Sequence, residues 1–286
     1  MKNIVIEKNK TYKNPIEKIE EFSLNKIKSS FFDQLLSAIL AGICVGFGFT
    51  ALLVILCSVE TTNNLYQIVK YLTSFIFCTS IILCCLLGAS LFTGNCICFI
   101  TWLQKKIKLN LLLKNWLITI IGNLIGTFLF ALFIFLIGLF AKRSNNDWRF
   151  IANIKTINLI YQSVDKIKMP FWQSFLSGIL CNIIVAASIL SWIIFKNKSA
   201  SILCIFFLIA SFTLGGYNHV VASSYIGWLG WLLSTIKGAQ QIPNNYGVLL
   251  FFNCLIPAFF GNLVGGVLIT WIYFKLNKKV KNTEIA

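Results

Sequence analysis

Six apolar stretches, each long enough to cross a lipid bilayer, constrain this chain more than any other feature. In windows of about 20 residues they lie near 33–57, 71–103, 111–140, 171–195, 200–235 and 247–274. A hydrocarbon core of about 30 Å takes roughly 20 helical residues at about 1.5 Å each. The fold class expected is therefore an all-α membrane protein with six transmembrane helices. Composition agrees: 57% of residues are hydrophobic and only 12% charged, against about 25% charged in soluble domains. All nine acidic residues fall outside or at the edge of the apolar stretches, as a lipid-facing chain requires.

The net charge of +16 does not point to nucleic acid, because the lysines sit between or beyond the spans and not on one face. Counting Lys and Arg loop by loop, with the N-terminus inside, places 17 on the inner side and 8 on the outer. Basic residues are retained on the cytoplasmic side, so both termini are expected there, in a multi-pass protein of the cell membrane. The chain divides into an N-terminal cytoplasmic segment (1–30), a channel domain (31–276) and a short cytoplasmic tail (277–286). Residues 1–30 are polar and lysine-rich, unlike a secretory signal. They fit an amphipathic helix that gates the pore from inside or an unstructured basic tail equally well. The ten cysteines fall almost wholly within apolar segments, where Cys acts as a small hydrophobe. Cys84-Cys85 and Cys96-x-Cys98 have no carboxylate near them and share one histidine in the whole chain, so neither a metal nor a cofactor is expected.

The second and fifth stretches are too long for single spans. Each carries a polar, glycine-containing interruption, Thr93-Gly94-Asn95 and Gly215-Gly216-Tyr217-Asn218-His219. Non-helical backbone at membrane depth is tolerated only where it is buried in protein or lines a cavity. The two halves echo each other. Gly122-Asn123-Leu124-Ile125-Gly126 in the third span matches Gly261-Asn262-Leu263-Val264-Gly265 in the sixth. Ala41-Gly42 with Gly46 in the first matches Ser177-Gly178 with Asn182 in the fourth. Three helices are an odd number, so the halves insert in opposite senses: an inverted 3+3 repeat with broken second and fifth helices, whose breaks mark a central site. Small residues four apart let helices approach closely, and Asn123 and Asn262 are expected to satisfy backbone groups freed at the breaks.

His219 is the only ionisable side chain deep within an apolar stretch, and such residues are functional hypotheses by default. Moving a bare charge to the bilayer centre costs roughly 3 to more than 10 kcal/mol. Protonating a carboxylate of pKa about 4 at pH 7 costs only about 4 kcal/mol. A small anion can therefore cross an apolar constriction as its neutral acid if a central group donates a hydrogen bond or proton. Thr93 and His219 are suitable donors, and half-helix N-termini after the breaks add positive potential.

Leu91-Phe92-Thr93-Gly94-Asn95, Lys114-Asn115-Trp116 and Gly122-Asn123-Leu124-Ile125-Gly126 resemble the second and third spans of the formate/nitrite transporters. Gly216-Tyr217-Asn218-His219-Val220-Val221-Ala222 resembles their fifth-span break, and Asn253 with Leu255-Ile256-Pro257 and Gly261-Asn262 resembles their sixth span. The resemblance runs over roughly residues 30–275. It implies a homopentamer whose subunits each hold an aquaporin-like pore for small monovalent anions and protons, with no covalent chemistry. It further implies that Leu91, Phe92 and Thr93 lie on the second-helix break, that Phe77, Ile81 and Phe212 line two apolar slits, and that His219 sits in the chamber between them. Lys166 matches a vestibule lysine that attracts anions. Family members pass formate, nitrite, lactate or hydrosulfide, and the narrow slit residues favour formate or nitrite here.

Two positions depart from the family pattern, which usually has Glu before the histidine and Asn after the following Ala. This chain has Asn218 and Ser223. Without that carboxylate the imidazole lacks a charged partner, so weaker proton coupling is expected. Other readings are a family member that kept the fold for a structural or sensory role, and a pore for neutral solutes such as water. A membrane enzyme would require catalytic carboxylates, a metal cluster or a nucleotide loop, and none is present in the sequence.

Overall fold

A computed structural model describes residues 14–60, 62–143 and 150–283. Residues 1–13, with four of the seven inner lysines counted at the N-terminus, lie outside the described residues. Six helices among those described are long and apolar enough to span a bilayer: Phe31–Leu56, Tyr66–Leu86, Leu109–Leu136, Phe171–Ile194, Lys198–Gly215 and Tyr246–Lys278. Two shorter apolar helices, Phe92–Leu103 and Val220–Leu233, complete the set.

In chain order, α1 (Pro15–Lys28) is amphipathic and precedes the spans. Asn14 caps it, its side chain accepting from the Glu17 amide at 3.1 Å, and Ile16, Ile19 and Ile27 are buried. Of the two readings of the N-terminal segment, a docked amphipathic helix therefore describes residues 15–28. The first span is α2 (Phe31–Leu56). The second divides at Phe77 into α3 (Tyr66–Ile76) and α4 (Cys78–Leu86). Its re-entrant half runs from α5 (Phe92–Asn95) through a 3₁₀ turn into α6 (Phe99–Leu103). The third span is α7 (Leu109–Leu136).

The second half repeats this order. Among the described residues, the one departure from the all-α expectation is a short antiparallel ribbon, β1 (Ala141–Arg143) with β2 (Phe150–Ala152), in the loop between the third and fourth spans. Amphipathic α8 (Ile154–Lys168) stands where α1 stands in the first half. Then come α9 (Phe171–Ile194), α10 (Lys198–Gly215) and the half-helix α11 (Val220–Leu233). The last span begins as α12 (Tyr246–Leu249), relaxes into a π turn over Leu250–Leu255 and continues as α13 (Ile256–Thr283). Pro257 has no N–H to give the residue 253 carbonyl, which accounts for the looser turn before it.

The repeat holds, but the helix register differs from the sequence reading by one turn. A Cβ on Gly126 would clash with the Ile39 carbonyl, and one on Gly265 with the Ile179 carbonyl. Asn123 donates to the Ala38 carbonyl and Asn262 to the Gly178 carbonyl. Ala38 is thus the partner of Gly178, and Gly42 that of Asn182. A step of four residues returns to the same helix face, so small-residue spacing alone fits both registers.

Candidate functional site

The two breaks are built alike. Gly88 (φ +64) and Gly216 (φ +67) turn the chain through the left-handed region, which costs glycine little. One buried asparagine then clamps each re-entry. Asn123 accepts from the Phe92 amide at 2.8 Å and donates to the Ser90 and Ala38 carbonyls at 2.9 and 2.8 Å. Asn262 accepts from the Val220 amide at 2.9 Å and donates to the Asn218 and Gly178 carbonyls, both at 2.9 Å. Asn123 stands about 20 Å along α7 at about 1.5 Å per residue, so α5 starts near mid-membrane. It then runs back toward the start of α7, where Asn95 donates to Asn115 and Thr119, both at 3.1 Å, and accepts from Trp116 through its carbonyl. The sequence motif Thr93-Gly94-Asn95 is therefore the first turn of the re-entrant helix, and the break precedes it at 87–91.

Both half-helices thus point their N-termini at the centre. Leu91 is the N-cap of α5 and makes no capping bond. Its repeat partner is His219, the N-cap of α11, whose Nδ1 accepts from the Ala222 amide at 3.2 Å. That bond uses the Nδ1 lone pair, so the neutral ring carries its proton on Nε2. Nε2 lies 3.0 Å from Thr93 Oγ1. This pair joins the two half-helices across 126 residues of sequence. His219 is 2% exposed and Thr93 fully buried. The Phe212 ring stands 6.0 Å from the imidazole and 5.8 Å from the Phe77 ring, centroid to centroid.

A cavity lies on each side of this pair. The one on the α8 side, termed the outer cavity, is about 160 Å³, reaches Phe77, Phe212 and His219 and is bordered by Lys166 and Ser223. The one on the α1 side, termed the inner cavity, is about 40 Å³ and is lined by Leu91, Gly94, Asn95 and Lys26. Lys166, in the last turn of α8, donates to Asn218 Oδ1 at 2.7 Å and to the Gly216 carbonyl at 3.2 Å. Asn218 in turn donates to Ser174 Oγ at 2.9 Å. On the inner side Lys26 donates to the Gly88 carbonyl at 2.5 Å and to Ser90 Oγ at 3.0 Å. Burial pushes both ammoniums below the usual lysine range.

Not every sequence-selected residue faces a cavity. Phe92 is fully buried and stacks on Phe259 at 4.8 Å, away from both. Ile81 is buried and lines neither. Asn182 donates to the Asn262 carbonyl at 2.6 Å, behind the site. Lys26 was missed, although a signal for it exists. Lys26-Ile27-Lys28 and Lys166-Ile167-Lys168 are identical and stand three residues before Phe31 and Phe171. The cysteines are all unpaired, with only Cys85 and Cys204 half-buried and the rest buried.

The profile of the Formate/nitrite transporter family matches residues 13–275. The chain belongs to that family. It is 28% identical over 272 residues to an uncharacterized transporter, YwcJ, of Bacillus subtilis, covering 92% of this chain and 97% of that one. It is 25% identical over 249 residues to the formate channel FocA of Escherichia coli K12, covering 83% of each. Among solved structures it resembles an FNT family ion channel (TM-score 0.79, 20% identity, 93% of this chain and 99% of that one). It also resembles a pentameric formate channel with formate bound (TM-score 0.70, 21% identity, 87% and 97%). The family and the six spans make this a multi-pass membrane protein with the broken-helix repeat of these transporters.

Proposed function

We propose that this chain carries small monovalent anions, formate or nitrite first, across the cell membrane as a homopentamer with one pore in each subunit and both termini cytoplasmic. The observation that carries the reading is the His219–Thr93 pair. It is a buried donor couple at two converging half-helix N-termini, held between two cavities that each have a lysine at the mouth. The likeness to the formate channel of Escherichia coli supports the substrate, and the likeness to a pentameric formate channel supports the assembly.

Lys166 or Lys26 draws the anion to a mouth by charge. The anion passes the apolar constriction at Phe77 and Phe212, or the one at Leu91, and meets Thr93 and His219 between them. There the Nε2–H donates to it in place of Thr93, and the half-helix dipoles add positive potential. Crossing as the neutral acid costs about 4 kcal/mol at pH 7, against roughly 3 to more than 10 for the bare ion, so a proton accompanies the anion whenever the slit is dry. Imidazolium formation would break the His219–Ala222 cap, and Asn218 offers no charge to support it. The proton is therefore supplied mainly from solution, and coupling is weaker than in relatives with a carboxylate before the histidine.

The test is uptake of formate, nitrite, lactate and hydrosulfide into proteoliposomes across pH, for the wild type and His219→Ala. Saturable uptake that falls at least tenfold in the mutant is expected. No uptake of any anion by an intact pentamer would favour a chain that kept the fold and lost transport.

A further inference from the structure

The outer cavity holds more than its exit lets through. At about 160 Å³ it has room for on the order of ten water-sized occupants, far more than formate or nitrite needs. Its floor is the Phe77–Phe212 pair with His219 beside it; the two phenylalanine rings stand 5.8 Å apart, within the roughly 4.5–7 Å of aromatic rings in contact. Phe49 meets Phe77 edge-on at 5.1 Å and continues the aromatic wall, with Leu52 and Ile226 beside it. Lys70 and Lys166 both line the same cavity. Among the described residues neither makes an ion pair, since the neighbour that holds Lys166 is the neutral Asn218. Two ammoniums that make no ion pair, beside a wall of aromatic rings, select an anion with an aromatic body. Charge alone would serve a smaller ion equally well, but the apolar lining rewards burial of a ring.

We infer that the outer cavity is an external binding site for aromatic monocarboxylates. The carboxylate rests between Lys70 and Lys166, the ring stands on Phe49, Phe77 and Phe212, and the closed slit stops it from crossing. Such a molecule blocks the pore from the side that bears α8. The inner cavity, at about 40 Å³, is too small for it, so block is one-sided. The inhibition depends on the transport proposed above, whereas the binding does not.

Benzoate is the probe. Calorimetric titration into the purified full-length protein should show saturable binding, and benzoate on the α8 side of oriented membrane vesicles should inhibit formate uptake. Lys70→Gln should weaken binding and inhibition together by about two- to fivefold, and Lys70→Arg should restore both. Elution of each variant as the wild-type oligomer separates these effects from misfolding. Equal block from both faces, or entry of labelled benzoate through the pore, would overturn the inference. So would no heat of binding at millimolar benzoate in a protein that still moves formate. If no anion is transported at all, the transport reading fails, and the titration with its two variants still decides the site.

Discussion

The two halves of the chain share a scaffold and differ in chemistry. Each has an amphipathic helix ending in the same Lys-Ile-Lys, a left-handed glycine, a half-helix aimed at the centre and an asparagine holding three backbone groups. Where the backbone leaves the helix inside a membrane, its polar groups have no water to turn to. That demand is identical on both sides, and the solution is too. The side chains at matching positions around the two breaks are free of it and diverge: Leu91 against His219, Ser90 against Asn218, Asn95 against Ser223. In the proposed mechanism one donor at the centre suffices for an anion arriving from either side, which leaves the second N-cap apolar and part of a gate.

The clamps offer the hardest test of this symmetry. Asn123→Leu and Asn262→Leu each strand three buried backbone groups and should each cost roughly 3 kcal/mol or more. Thermal unfolding of the detergent-solubilised protein reads this, and a mild effect at one site only would break the parallel between the halves. Next comes the central pair. His219→Leu removes both the donor and the cap, and uptake should fall at least tenfold with a stability loss of about 1 kcal/mol. His219→Asn retains a capping side chain, so the same loss of uptake with little loss of stability separates the two roles.

The mouth lysines should show smaller effects that reveal the asymmetry. Burial lowers the pKa of Lys166 and Lys26, so each ammonium is fully charged below its lowered pKa and loses its attraction as pH rises through it. Uptake at low anion concentration should therefore decline at a less alkaline pH than an ordinary lysine would give. Lys166→Gln should remove that decline for influx and Lys26→Gln for efflux, each raising KM a few-fold; one variant acting on both directions would contradict separate mouths. The smallest expected effect sharpens the chemical difference. Asn218→Glu places a carboxylate on Lys166 and one residue from the imidazole, and should steepen the pH dependence of uptake. Identical pH profiles for this variant and the wild type would show that position 218 does not set coupling.

Much of this was legible in the chain. The six spans, both interrupted stretches and the paired Gly-Asn motifs follow from length, hydropathy and spacing, because lipid leaves so few ways to satisfy a backbone. His219 stood out because an ionisable group in an apolar run has few structural excuses. Lys26 had a sequence signal in the repeated Lys-Ile-Lys, but a lysine before a span reads first as a topology marker. Phe92 and Ile81 lie in the segments that approach the breaks, yet which way a side chain turns depends on neighbours distant in sequence, such as Phe259 for Phe92.

What the sequence by itself determined was the medium, the number of crossings and the places where helices must break, since these rest on local composition and on the cost of unpaired backbone in hydrocarbon. Tertiary structure alone decided which helix turn meets which, where one four-residue step is as good as the next until backbone carbonyls touch. It also decided that Thr93 and His219, 126 residues apart, meet at 3.0 Å. No local pattern encodes that distance, because it is set by two asparagine clamps on two other helices.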